Sequence, residues 1–153
     1  MKNEFTLTSE FHTSAEQIYK AFLSTQGHTQ MTGSPAKVDG RVDGEFTAWD
    51  GYIWGTFLEL EENKRIVQAW RTAEFPEDAE DSRVEILLEE IATGLDTPRK
   101  ARGYPSTSSG HRSTTITLIH TNIPEGQADS YKTGWEDFYF KPMREWSERS
   151  NEQ

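Results

Sequence analysis

The side chains in this sequence best suited to metal binding or acid–base catalysis are its four histidines, His12, His28, His111 and His120. They show neither HExxH nor His-x-His spacing, so a metal site would require one of them to meet carboxylates from distant segments. His120 follows the run TTITLI and is the one that the pattern directs towards an internal cavity. A hydrogen-bonded or surface histidine is the simpler interpretation. The sequence therefore predicts neither a metal site nor a catalytic histidine.

Carboxylates and hydroxyls show no catalytic arrangement either. Glu45, Glu59 and Glu85 fall in predicted strands, where one that pointed inwards would act as a general base with a raised pKa. A sheet covered on one side places polar side chains on its solvated face, which favours exposure of all three. No Gly-x-Ser-x-Gly elbow, Gly-x-Gly-x-x-Gly turn or phosphate loop occurs in the chain. We therefore predict a binding protein without a cofactor, with a cyclase- or hydrolase-like enzyme as an alternative.

Aromatic side chains are the most informative set. The chain has 8 Phe, 5 Tyr and 5 Trp in 153 residues, and each ring can bury about 150–250 Å². They either replace scarce aliphatic side chains in the core or line a pocket for a flat apolar molecule, and a cavity walled by core rings would do both. From this set and His120 we predict six residues that line a cavity for a hydrophobic or aromatic small molecule: Trp54, Trp70, His120, Trp135, Phe138 and Tyr139.

Composition limits the function further. At 153 residues the chain is expected to form one domain, residues 1–153. Its net charge of −10 argues against nucleic acid and against anionic membrane surfaces as partners. The chain has no cysteine, which excludes disulfides and thiolate chemistry. The first residues, MKNEFTLTSEF, lack the apolar stretch of a secretory signal, so a cytoplasmic location is expected.

The N-terminal third predicts one strand and one helix. Apolar residues alternate over 4–11, which is typical of a half-buried strand. Thr13 is a suitable N-cap, and Glu16 three residues later completes a capping box that opens a helix. Gly27 is expected to end that helix. Residues 28–44 are predicted to form short edge structure and turns.

The remaining pattern predicts an antiparallel sheet and a long final helix. Residues 128–146 carry an apolar stripe at steps of three and four, with a bend expected near Gly134 and Pro142. The fold class is therefore α+β, with a curved sheet that wraps around the C-terminal helix and leaves room for a cavity. Apolar runs separated by turns predict strands at 45–49, 52–60, 65–71, 83–91 and 114–120.

One segment differs from the rest of the chain. Residues 92–113 are rich in Gly, Pro and Ser and hold four basic residues and one acid, so they are predicted to form a long, mobile, basic loop. Such a loop is either a tolerated insertion or a docking segment for an acidic partner. The residues that would carry the docking are Arg99, Lys100 and Arg102.

Two stretches resemble a known family. Residues 51–60, GYIWGTFLEL, with 63–71, NKRIVQAWR, are similar to the central signature of the activator of heat shock protein 90 ATPase homologue family. The stretch from Thr115 through Asn122-Ile123-Pro124 to 134–139, GWEDFY, resembles the closing strand and helix of that family. The resemblance extends from about Phe5 to Trp146.

The resemblance implies a helix-grip fold of the START-like, polyketide-cyclase superfamily, whose members bind apolar or aromatic small molecules. It corresponds to the C-terminal domain of the eukaryotic co-chaperone, which implies a second function as an accessory factor of the heat shock protein 90 chaperone in stress response. Glu59 matches a position typical of the family, and this implies a structural ion pair with Arg65 or Arg71.

Overall fold

The computed structural model describes residues 3–92 and 112–151, so the predicted docking residues Arg99, Lys100 and Arg102 lie outside the described part. The order of elements is β1 (Phe5–Phe11), α1 (Ala15–Phe22), α2 (Thr25–Thr32), β2 (Lys37–Val38), β3 (Glu45–Ala48), β4 (Ile53–Glu61), β5 (Arg65–Thr72), β6 (Ser82–Ala92), β7 (Arg112–Thr121), α3 (Ala128–Trp135), a π turn (Glu136–Phe140) and α4 (Lys141–Asn151).

The seven strands form one antiparallel sheet in the order β1-β7-β6-β5-β4-β3-β2. Strands β3 to β6 are a meander in which each strand pairs with the next, as the short turns predict. Strand β7 then lies between β6 and β1, with His120 opposite both Val84 and Phe5. The α+β class and the antiparallel sheet predicted from the sequence are confirmed.

One face of the sheet holds the core. Along β5, Ile66, Gln68 and Trp70 are buried at alternate positions, as period-two geometry requires. The opposite face carries solvent-exposed side chains, among them Trp54 and Leu58 on β4, which are 38% and 43% exposed. A sheet with one solvated face must have its other face covered, and here the C-terminal helix provides the cover.

The start of the helical region differs from the sequence prediction. Ser14, not Thr13, caps α1: its hydroxyl oxygen accepts from the Gln17 N–H at 3.1 Å. Thr13 is buried, and its carbonyl accepts from the Thr114 hydroxyl at 2.8 Å instead. Because the side chain of Thr13 lies in the interior, it is not placed to cap the helix.

Gly27 does not end a helix. Helix α1 ends at Phe22, and Ser24 caps α2 through a 2.9 Å bond from the Gly27 N–H. A Cβ at Gly27 would lie 2.8 Å from the Ala21 Cα, so glycine is required where the two helices approach closely. Helix α2 therefore occupies part of residues 28–44, where only edge structure and turns were predicted.

The long final helix contains one irregularity. It is continuous from α3 to α4, but residues 136–140 form a π turn rather than the bend expected near Gly134 and Pro142. The Lys141 N–H reaches back five residues to the Glu136 carbonyl, and Pro142, which follows, has no N–H to donate. The helix packs its rings against the sheet, for example Phe140 on Phe11 with centroids 5.5 Å apart.

Candidate functional site

A cavity of about 390 Å³ lies between the sheet and the C-terminal helix. Its base is formed by rings that are almost fully buried, whereas Tyr52 and Phe138 at the rim are 37% and 55% exposed. Ile53, Ser130 and Gly134 complete the wall. The aromatic side chains that line it are Trp49, Tyr52, Trp70, Tyr131, Trp135, Phe138 and Tyr139.

Four of the six predicted lining residues lie on this wall: Trp70, Trp135, Phe138 and Tyr139. The π turn brings the last two together, because it places Phe138 at the rim and Tyr139 in the interior. Trp135 packs on Tyr139 with centroids 4.5 Å apart. A π turn inside an α-helix often marks a functional site.

Trp54 does not line the cavity, and its prediction as a lining residue was wrong. In β4, Ile53 and Phe57 point inwards and are buried, so Trp54 points to the solvated face. Residues 52–54 are Tyr-Ile-Trp, which are apolar at both parities, so the sequence pattern could not show which side chains face inwards. Trp49 and Tyr52 take the expected place of Trp54.

The turn between β3 and β4 positions Trp49. Trp49 and Asp50 have positive φ angles of 51° and 57°, and Gly51 follows at 91°. The Asp50 N–H donates to the Pro35 carbonyl at 2.9 Å and the Tyr52 N–H to the Trp49 carbonyl at 3.1 Å. A left-handed backbone is strained for an aromatic residue, and such strain is frequent at binding sites. The Asp50-Gly51 dipeptide predicted this turn, but not the direction of the Trp49 ring.

His120 lies behind the wall rather than on it. Its ring is fully buried, with Nδ1 accepting from the Trp135 Nε1–H at 3.1 Å. Nε2 therefore carries the proton and donates to Ser82 Oγ at 2.8 Å, and the Ser82 hydroxyl donates to the Trp70 carbonyl at 2.6 Å. Burial lowers the pKa of His120 to about 3, so the ring is neutral at physiological pH. Its role is to position Trp135.

A second buried histidine supports the other end of the wall. Tyr139 OH donates to His28 Nε2 at 2.8 Å, and His28 Nδ1 donates to the Phe22 carbonyl at 3.4 Å. Burial lowers the pKa of His28 to about 4 and raises that of the Tyr139 hydroxyl well above its usual range. Tyr139 therefore stays a neutral donor to a neutral ring.

The rim is also tied together by hydrogen bonds. Tyr131 OH donates to Gln127 Oε1 at 2.6 Å and lies 2.7 Å from Thr72 Oγ1. Tyr52 OH donates to the Glu74 carboxylate at 2.6 Å. Burial and, secondly, this bond raise the pKa of Tyr52 to about 12. The lining tyrosines are thus rigid neutral phenols, not free acids or bases.

The strand carboxylates are not part of the cavity. Glu59 and Glu85 both pair with Arg65 on the solvated side of the sheet, and Glu45 is exposed. Among the described residues, those that line the cavity include no Asp, Glu or His, so they supply rings and hydroxyls rather than a general base. In the described part of the chain, no three His, Asp or Glu side chains come together as a potential metal site.

No helix within residues 3–92 or 112–151 is long and apolar enough to cross a membrane.

Solved structures with similar folds place the chain in a wider group. An HSP90 activator from Plasmodium falciparum superposes with a TM-score of 0.69 at 26% identity, covering 90% of this chain and 91% of that one. CalU16 from Micromonospora echinospora superposes with a TM-score of 0.64 at 20% identity, covering 97% and 81%. The second likeness concerns the fold alone. The helix-grip, START-like fold expected from the resemblance is confirmed.

Sequence relatives agree with the structures. The human activator of 90 kDa heat shock protein ATPase homolog 1 is 25% identical over 154 aligned positions, covering 93% of this chain and 36% of that protein. The chain thus spans about a third of the length of the curated relatives that cover most of it. The model of the family "Activator of Hsp90 ATPase homolog 1-like protein" matches residues 12–109. On this match, the chain belongs to the family of Activator of Hsp90 ATPase homolog 1-like proteins.

Proposed function

We propose that this domain holds a small hydrophobic or aromatic molecule, without catalysis, in the cavity between the sheet and the C-terminal helix. The observation that carries the proposal is the cavity itself, about 390 Å³ with seven aromatic side chains on its wall. Pockets for small organic ligands fall between about 300 and 1,000 Å³ and are lined mainly by apolar and aromatic side chains.

The wall is organised before a ligand arrives. Trp135 is fixed by His120, Tyr139 by His28, and Tyr131 by Thr72. A ligand that enters such a site loses little affinity to ordering of side chains, since hydrogen bonds already hold these rings. This favours binding in a pocket that is already formed over binding that requires the core to rearrange.

Gly134 allows a direct test. It lines the cavity on α3, and a Cβ added there would meet its nearest neighbour, a Phe138 ring atom, at 3.9 Å. Leucine at this position would occupy the cavity, whereas alanine would add a single methyl group. Native mass spectrometry of the purified protein, followed by a thermal-shift screen of aromatic metabolites, should detect a ligand in the wild type and in Gly134→Ala, and none in Gly134→Leu.

The outcome that counts against cavity binding is equally clear. A wild-type protein that carries no extra mass and shows no thermal shift with any aromatic compound would overturn the proposal. So would a ligand that binds Gly134→Leu and the wild type equally, because that ligand would occupy another place on the protein.

A second candidate function is favoured by family membership. The Plasmodium neighbour is named as an HSP90 activator and the human relative as an activator of 90 kDa heat shock protein ATPase homolog, and this chain matches the family model over residues 12–109. We propose, as the alternative, that the domain binds a chaperone of this class and acts as its accessory factor in the cytoplasm. The absence of cysteine is compatible with that compartment.

The solvated face of β4 is the surface to test for this contact. Trp54 and Leu58 both point away from the core and leave apolar area in water. Aromatic side chains are enriched at protein interfaces and frequently dominate their binding energy. Cavity and outer face lie on opposite sides of the sheet, so variants can separate the two functions.

A pull-down and an ATPase assay with purified Hsp90 would test the alternative. We expect the wild type to bind and to raise the ATPase rate, and Trp54→Ala to weaken both while Gly134→Leu leaves them unchanged. A triple charge reversal at Arg99, Lys100 and Arg102 would test the predicted docking segment in the same assay. Failure of the wild type to bind Hsp90 would exclude the accessory role.

A further inference from the structure

Among the described residues, those that line the cavity are uncharged and rich in aromatic rings. None of the ten lining residues is charged, and seven of them are aromatic. Several rings meet nearly at right angles, for example Trp70 with Tyr131 at 81° and Trp49 with Phe138 at 70°. Rings in this arrangement present faces from different directions, and the negative face of an aromatic ring attracts cations.

Four donors on this wall are not free to bind an anion. The Trp135 indole N–H and the hydroxyls of Tyr52, Tyr131 and Tyr139 already donate to protein acceptors at 2.6–3.1 Å. Among the described residues, the Trp49 indole nitrogen is a buried atom without a partner, but it is closed off from contact with solvent. A carboxylate or phosphate ligand would therefore lose its hydration without gaining strong donors from these groups.

A carboxylate stands at the rim. Glu74 is held there by the Tyr52 hydroxyl at 2.6 Å and by Gln127, whose Nε2 donates to the Glu74 carbonyl at 3.0 Å. Its charge acts on both rim tyrosines and contributes to raising the pKa of Tyr131 after the larger effect of burial. The chain as a whole carries a net charge of −10, which adds to attraction for positive ligands.

The neighbouring cation does not cancel this field. Arg71 packs over the Phe75 ring at 5.3 Å, and Phe75 in turn packs against Trp70 inside. The Arg71 guanidinium is paired with Asp81 at 2.8 Å. Its charge is thus neutralised on the far side of Phe75.

We infer that the cavity selects a cationic ligand with apolar substituents, such as an alkylated ammonium that carries an aromatic or aliphatic group. This inference rests on the proposed cavity function and specifies its ligand class. The quaternary or tertiary ammonium would lie among the ring faces near the rim, and the apolar group would fill the interior towards Trp70. Glu74 would add a longer-range contribution from the rim.

A matched pair of ligands tests the charge directly. Phenyltrimethylammonium and tert-butylbenzene have the same shape and differ in the central atom and its charge. Each compound is titrated into the protein while intrinsic tryptophan fluorescence is monitored. The cation should bind about 10-fold more tightly than the neutral compound, as cation–π attraction in a partly desolvated site predicts. Glu74→Gln should weaken the cation about threefold and leave the neutral compound unchanged. Glu77 is an exposed acid in the same loop. Glu77→Gln should change the affinity for neither compound.

Each outcome bears on one of the two proposals. Equal or tighter binding of tert-butylbenzene would overturn cation selection while it supports the cavity function. Binding of neither compound, together with no thermal shift from neutral aromatic metabolites, would overturn both. Loss of cation binding in Gly134→Leu but not in Gly134→Ala would place the ligand in this cavity.

Discussion

The indole N–H of Trp135 donates to Nδ1 of His120 at 3.1 Å, and this bond joins the C-terminal helix to β7 behind the cavity wall. It fixes the tautomer of the histidine, which then donates through Nε2 to Ser82. Because all three side chains are buried, each group depends on the next for its partner. The chain of bonds holds one wall of the cavity in a single position.

Replacing Trp135 by phenylalanine should be costly for this reason. Trp135→Phe keeps an aromatic ring but leaves the buried Nδ1 of His120 without a donor, which costs about 1–3 kcal/mol. Trp146→Phe is the matched control, since Trp146 is also buried on the final helix and its indole has no hydrogen-bond partner within the described part of the chain. Urea unfolding should give a free energy of unfolding about 2 kcal/mol lower for Trp135→Phe than for Trp146→Phe. Equal losses would show that the bond to His120 adds nothing.

The two buried histidines predict a pH-dependent stability. Burial lowers the folded-state pKa to about 3 for His120 and about 4 for His28, below the value of about 6.5 expected in the unfolded chain. The neutral rings thus contribute stability that is complete above pH 6.5 and is lost as the pH falls towards these values. Each histidine should cost about 1.4 kcal/mol per pH unit in that range.

Denaturant unfolding between pH 7.5 and pH 5 measures this dependence, above the range where most carboxylates titrate. His120→Gln should reduce the slope by about half, since one of two titrating rings is removed. A free energy of unfolding that does not fall over this range would contradict the burial of the two rings.

The sequence predicts those parts of the fold that a strong local pattern determines, and it fails where tertiary contacts decide the position of a residue. The meander and the final helix were predictable because their apolar periods are strong, and Trp70, Trp135, Phe138 and Tyr139 then reach the same cavity. Trp54 was placed wrongly because apolar residues on both parities of β4 hide the register. Tertiary contacts decide that question, and a single sequence does not contain them.

The helix boundaries show a second limit. Thr13 and Ser14 are both good caps by type, and only burial of Thr13 by the Thr114 contact decides between them. The sequence pattern predicts a helix end at Gly27, but glycine is needed there because α1 and α2 approach each other closely. The π turn that brings Phe138 and Tyr139 to the cavity has no sequence signal beyond the following Pro142.

Gly55 should tolerate no side chain. It lies on β4 opposite Trp70, and a Cβ there would meet the carbonyl oxygen of Ala69 at 1.8 Å, which is backbone and cannot move alone. Gly55→Ala should therefore lower the free energy of unfolding by more than about 2 kcal/mol. Gly134→Ala, in an open helical position, should instead raise it by about 0.5–1 kcal/mol. Thermal and urea unfolding of the two variants measures both changes. An unchanged free energy of unfolding for Gly55→Ala would contradict the register of β4.

Replacing Trp49 by phenylalanine should cost much less stability than the same substitution at Trp135. The indole nitrogen of Trp49 is buried without a hydrogen-bond partner, so Trp49→Phe removes a polar group that the folded state leaves unsatisfied. The gain from that removal, about 1–3 kcal/mol, should offset the smaller apolar area of phenylalanine and leave stability nearly unchanged. The packing of residue 49 on Phe138, now at 5.5 Å between centroids, should persist with the smaller ring. Urea unfolding of Trp49→Phe and Trp135→Phe side by side provides the measurement. A loss at Trp49 as large as that at Trp135 would mean that the Trp49 N–H has a partner in solution, such as a bound water or a ligand.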